Sequence, residues 1–254
     1  MLLSRLQAVS EQDKTTAVTS LVKESTPDFN FFFMIVLAVL MATLGLHAGS
    51  ESVVIGSMLL APIMSPILGL SLGLAMSSHK LIYRSLRTML KAGIFAIVAA
   101  AVATLLFAFS GIEMNSIILE RTEPSLIFFA IALIAGLAVA YTSVQPNLSA
   151  TLPGIAVSVA LIPPLATVGI GIAALDIKVA SGAAVMFIIN VVGIIFASMF
   201  AFSLMDVHHK RFIAVSTIDE ETERVQEEEA KVVEIEENNK SEDAEATTKE
   251  TTSQ

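Results

Sequence analysis

The chain has 254 residues, of which 54% are hydrophobic and 15% charged, with a formal net charge of −9 and no cysteine. Disulfides and thiolate metal sites are thereby excluded. The charge is unevenly held: residues 212–254 carry fourteen acids and four bases, so everything before them is near neutral.

In chain order, residues 1–28 mix charges with Ser and Thr and lack the continuous apolar stretch of a cleaved signal peptide. Six apolar segments follow, at 29–47, 53–76, 92–109, 125–144, 153–175 and 180–205, none with a Lys, Arg, Asp or Glu in its interior. A run of about 20 apolar residues crosses the hydrocarbon core. A soluble protein could bury one or two such helices, but six leave no polar surface for water. The expected fold is therefore all-α, a polytopic membrane helix bundle of six spans. Residues 206–254 form an acidic tail, largely disordered by composition. Within it, Ile218, Val225 and Val232 lie seven apart and suggest a short helix or coiled coil.

Lys and Arg near the span ends set orientation. Arg5, Lys14, Lys23, Lys80, Arg84, Arg87, Lys91, Lys210 and Arg211 fall on one side of a six-span arrangement, against Arg121 and Lys178 on the other. Both termini are expected to be cytoplasmic, in a cell (plasma) membrane. Between the second and third spans, Lys80, Arg84, Arg87 and Lys91 alternate with Leu81, Ile82, Leu86, Met89 and Leu90. This spacing predicts a basic amphipathic helix on the inner leaflet.

Two spans carry prolines in matching places. The second contains Pro62 and Pro66, the fifth contains Pro163 and Pro164, and a shift of about a hundred residues superposes them. Proline removes a backbone donor and clashes with the preceding turn. In lipid, irregular backbone survives only where it is buried in protein or lines a cavity. Breaks in both spans are therefore expected. With three spans per half, the halves would run in opposite directions, as in transporters built from inverted repeats. A chance match between apolar segments is the competing reading, and for any single proline a packing kink is the simpler one.

The candidate substrate-binding residues are those at the breaks: Ser57, Pro62, Ser65 and Pro66 in the second span, and Pro163, Pro164 and Thr167 in the fifth. Asn190 joins them from the middle of the sixth span, where an amide needs a partner or a cavity. An interhelical hydrogen bond explains Asn190 equally well. Gly69 and Gly73 permit close helix contact, and Ala132, Gly136 and Ala140 form a small-residue packing stripe. The turn around His47 and Glu51 and the loop 145–152 read as ordinary connections. No carboxylate lies mid-membrane, which argues against an Asp/Glu proton relay. No metal, cofactor or catalytic set is expected.

The segments Val53–Ile67 (VVIGSMLLAPIMSPI) and Leu152–Ala166 (LPGIAVSVALIPPLA) resemble the "uncharacterized hydrophobic protein" family of bacteria and archaea, domain of unknown function 389. The resemblance extends over about Asn30–Leu204 and includes the Asn190 segment. It implies a membrane domain without naming a substrate. It also implies a short form, because many family members resemble a fusion of this unit to a soluble domain. Three functions follow as expectations. The favoured one is a transporter or channel for a small solute or ion, with its site at the breaks. A membrane scaffold or sensor recruiting partners through the acidic tail is the alternative, and an intramembrane enzyme ranks last. The expected partners are the lipid bilayer and a small solute or ion, with no nucleic acid. The small-residue faces are compatible with a homo-oligomer.

Overall fold

The computed structural model describes residues 10–107, 114–145, 148, 151–228, 230 and 231; at 151–156, 159 and 208 the backbone alone is described. All regular structure among these residues is helical. The elements are α1 (Glu11–Glu24), α2 (Phe29–His47), α3 (Glu51–Leu60), α4 (Met64–Ala75), α5 (His79–Phe107), α6 (Ser116–Glu120), α7 (Leu126–Val144), α8 (Thr151–Ala173) and α9 (Ile177–Leu204). A 3₁₀ turn at Val207–Lys210 leads into a final helix, α10, over 211–228. Of the expected tail, 232–254 lies outside the described residues.

Local chemistry fixes where these helices begin. Asp28 caps α2 by accepting from the Phe31 amide at 2.7 Å, and Asp176 caps α9 by accepting from the amides of Lys178 and Val179. A short acceptor just ahead of an apolar run satisfies amides that otherwise have no partner. Four helices, α2, α5, α7 and α9, are long and apolar enough to cross a membrane, and α3 with α4 makes a fifth span if that bent pair is counted as one. Their outward faces stay apolar: Phe33, Phe95, Ile134 and Phe196 are all exposed. An apolar perimeter of that extent is suited to lipid rather than water.

Inside the bundle, helices meet through small residues. A Cβ on Gly136 of α7 would sit 2.6 Å from the Ile194 carbonyl oxygen of α9, and one on Gly169 of α8 would sit 2.7 Å from the Ile97 carbonyl oxygen of α5. Ala132 and Ala140 are fully buried. The stripe on α7 is thus a packing face, and the Ser198 hydroxyl of α9 donates to the Gly136 carbonyl across it at 2.9 Å. α5 packs against α8, and α9 packs against both α7 and α4.

One expectation needs correction here. The basic stretch 80–91 is not a separate interfacial helix but the first three turns of the 29-residue α5. Lys and Arg are good helix formers, so nothing in that stretch stops the helix before the apolar run begins. The segment before α2 is also more structured than its composition suggests. α1 buries Ala17, Val18, Leu21 and Val22, and rests on α4 and α7.

Candidate functional site

The break in the second span is real, and its cause is local. Steric conflict with a proline ring pushes the preceding residue out of the helical region. Ala61, which precedes Pro62, accordingly has φ −83° and ψ 115°, so α3 ends at Leu60. α4 restarts at Met64, bent by 57° from α3. Pro66 falls in the first turn of α4, where an amide would have no intrahelical partner anyway, so it is tolerated. The irregular backbone is not turned to the perimeter: Ala61 is 8% exposed and Ile63 1%. The Ala61 carbonyl faces α8, where the Ser158 hydroxyl lies 3.5 Å away, the outer limit of a hydrogen bond.

The helix expected as the fifth span is not interrupted. α8 runs as a single helix from Thr151 to Ala173 with Pro163 and Pro164 inside it, which corrects the expectation of a second interruption. An amide at Pro164 would have donated to the Ala160 carbonyl, four residues back. That carbonyl instead accepts from the Asn190 side-chain amide of α9 at 2.8 Å. A neighbouring helix thus supplies the donor that proline removed, which is how membrane helices tolerate internal proline. One turn on, the Thr167 hydroxyl donates to the Pro163 carbonyl at 2.9 Å.

All eight candidate site residues lie inside the bundle except Pro62, which is half-buried. Thr167 and Ser57 are fully buried, Asn190 is 1% exposed and Ser65 8%. The structure joins Pro164 to Asn190 through Ala160, and joins the α3–α4 break to α8 through Ser158. Ser57 stands apart from that contact, because its hydroxyl donates to Val54 of its own helix at 2.6 Å. The Asn190 side-chain oxygen is buried and has no hydrogen-bond partner among the described residues. An unpaired carboxamide oxygen at that depth is costly and is suited to accept from water or to coordinate a cation. His47 turns to Thr104 of α5, 3.1 Å from its hydroxyl, rather than to Glu51. No group of three metal-ligating side chains occurs among the described residues.

Sequence reasoning overlooked the Ser158 hydroxyl and the Ala160 carbonyl as parts of the site. Counting four residues back from Pro164 identifies the orphaned carbonyl, and Asn190 is the only Asn or Gln within α9. That α1 docks on α4 and α7, and α10 at the basic end of α5, was also missed. The signal for α1 lay in its apolar residues at 17, 18, 21 and 22, on one helical face behind the cap residue Ser10.

A model of the family described as domain of unknown function 389 matches residues 58–196, more than half of the chain. The chain belongs to that family. The matched region contains Pro62, Pro66, Pro163, Pro164 and Asn190. An uncharacterized protein of Methanocaldococcus jannaschii is 29% identical over 170 residues, covering 67% of this chain and 52% of that protein. The chain therefore spans about half the length of that curated relative. No solved structure matches.

Proposed function

We propose that this domain of unknown function 389 protein moves a small solute or ion across a cell membrane, by a path running past the α3–α4 break. The observation that carries the reading is the buried break itself. Pro62 frees a backbone carbonyl that faces a hydroxyl of α8, and two residues further along α8 lies the carbonyl bound by Asn190, whose own oxygen is unpaired. Backbone carbonyls, hydroxyls and a carboxamide are hard neutral ligands, suited to a cation or to a hydrogen-bonding solute. Packing alone would be better served by continuous apolar helices.

The path of the chain supports a six-span inverted repeat. α5, the third span of the first half, packs on α8, the second span of the other half. α9 packs on α4 in the reciprocal way. Such an exchange is what a two-fold axis in the membrane plane would produce. The charge bias then places α1, the start of α5 and α10 in the cytoplasm. No enzymatic step is proposed.

The test is flux into liposomes containing the full chain, read with Na⁺, K⁺ and a panel of labelled small polar solutes. Wild-type protein should carry at least one of these faster than empty liposomes. Asn190→Leu should slow that flux by about tenfold or more, the size expected when a desolvated polar contact is lost. Flux that survives both Asn190→Leu and Pro62→Ala would place the path elsewhere. A scaffold or sensor is the second reading, favoured by one observation: the Arg84 guanidinium donates to the Ile218 carbonyl and the Thr222 hydroxyl of α10. In that case a phenotype should vanish on removal of α10 while no solute moves.

A further inference from the structure

At the basic end of the bundle lies a cavity of about 520 Å³, walled by the first turns of α5, by the link from α1 to α2, and by α10. Its floor is cationic. Lys80, Arg84, Arg87 and Lys91 stand at spacings of four, three and four residues, which places them along one stripe of α5. Among the described residues no carboxylate lines it.

The four cations are not equivalent. Lys80 is ion-paired to Asp219 of α10. Arg84 donates to the Thr26 hydroxyl at 2.7 Å and, at 3.0 Å each, to the Ile218 carbonyl and the Thr222 hydroxyl, so it ties the two walls together. Glu221 of α10 pairs with Lys23 and Arg224, and Glu11 of α1 with Lys14 and Lys210. Arg87 and Lys91 have no ion pair among the described residues, although both line the cavity. At its apolar end the ring of Phe32 contacts Phe95 of α5, with centroids 5.3 Å apart. Tyr83, also lining the cavity, is 70% exposed.

We propose that this cavity binds a phosphate-bearing anion, held by Arg87 and Lys91, with Lys80 and Arg84 keeping its walls in place. Arginine offers a planar pair of donors matched to phosphate oxygens, and lysine adds a compact point charge. Arg87 and Lys91 are both exposed at the cavity, and two like charges beside a cavity lined by no carboxylate among the described residues set up a positive potential that attracts an anion. The source of the phosphate is either an anionic lipid headgroup or a soluble phosphate compound. A headgroup source rests on the six-span reading, in which the stripe meets the apolar run at the level of the inner-leaflet headgroups. A soluble source does not, so the two ideas can fail separately.

The experiment uses the full chain purified in a neutral detergent, with thermal unfolding as the readout. One arm adds inorganic phosphate against chloride at equal ionic strength. The other adds phosphatidylglycerol against phosphatidylcholine. Wild-type protein should be stabilised in at least one arm, and R87Q/K91Q should bind the same probe roughly thirtyfold more weakly, at about fivefold per cation. R87K/K91R should retain binding within a few fold. If the double variant does not fold, Lys91→Gln alone should show the roughly fivefold loss. A response to lipid alone assigns the site to a headgroup, and a response to inorganic phosphate assigns it to a soluble compound. The proposal is overturned if neither probe stabilises the wild type beyond its control, or if R87Q/K91Q responds as the wild type does.

Discussion

The α3–α4 pair and α8 hold the same chemical fault and resolve it in opposite ways. In each, prolines remove amides from the middle of an apolar helix. Between α3 and α4 the chain leaves the helix at Ala61 and turns by 57°. In α8 the helix continues without interruption. The difference lies in the neighbour. α9 extends Asn190 to the carbonyl left bare by Pro164. α5, which packs against α4, contains no Asn or Gln. Proline supplies the fault, and a side-chain donor from another helix decides whether the helix bends.

That account can be broken at several points. The largest effect should come from Gly169→Leu, which drives side-chain atoms into Ala100 and the Ile97 backbone and lifts α8 off α5. Overpacking of this kind costs about 3 kcal/mol, read as a lower unfolding temperature in detergent; a wild-type melting curve would mean that the two helices already slide freely.

Asn190→Leu comes next, at about 1–2 kcal/mol, because a buried carbonyl loses its donor. It should also bend α8 towards the shape of α3–α4. Because the chain has no native cysteine, spin labels introduced in the first turn of α8 and at Ile172 can report that bend directly. A constant interspin distance in this variant would remove Asn190 from the explanation.

The reciprocal change, Pro62→Ala, restores an amide to α3 and should alter stability by less than about 1 kcal/mol while opening the 57° angle. Labels at the exposed positions Ile55 and Leu74 should then move apart. If they do not, packing around Ala61 holds the bend without the proline. Ser158→Ala should have a still smaller effect, within about half a kcal/mol, since its contact with the Ala61 carbonyl is already long.

A pH series separates these regions from the contact between α1 and Lys210. Neither proline contact contains a titratable side chain. At the α1 contact, hydrogen bonds from Lys210 and Lys14 hold the Glu11 carboxyl down to about 2. A carboxyl lowered on folding stabilises the folded state above its unfolded value, and that contribution fades as pH falls from the ordinary carboxylate range towards 2. Acid should therefore loosen α1 from Lys210, with salt weakening the effect, while leaving the α8–α9 contact intact. Hydrogen exchange in α1 and α8 would show the contrast.

How far the sequence could be read follows from the same physics. Helix positions were legible because apolar runs and caps are local. α2 occupies 29–47 as expected, and α7 and α9 begin within a few residues of their predicted starts. The burial of the candidate residues was legible because polar groups in an apolar run must face inward. The unbroken course of α8 was not, because the donor for Ala160 lies 30 residues ahead in the chain and only the packing of α9 brings it near. The continuity of α5 was hidden for another reason. Hydropathy marks where a segment becomes polar, and a helix does not stop there.

That continuity couples the two ends of α5. At 29 residues the helix is about 43 Å long, against a hydrocarbon core of about 30 Å. One end is gripped by Thr26 and α10 through Arg84, and the other presses Ala100 against Gly169. A rigid rod held at both ends cannot tilt at one without displacing the other. An anion that draws Arg87 and Lys91 outward, or a partner that lifts α10 from Arg84, would then swing α5 as a lever against α8, beside the prolines. By thermodynamic reciprocity, a solute bound in the interior would then shift the affinity of the cavity at the basic end of α5 by the same factor.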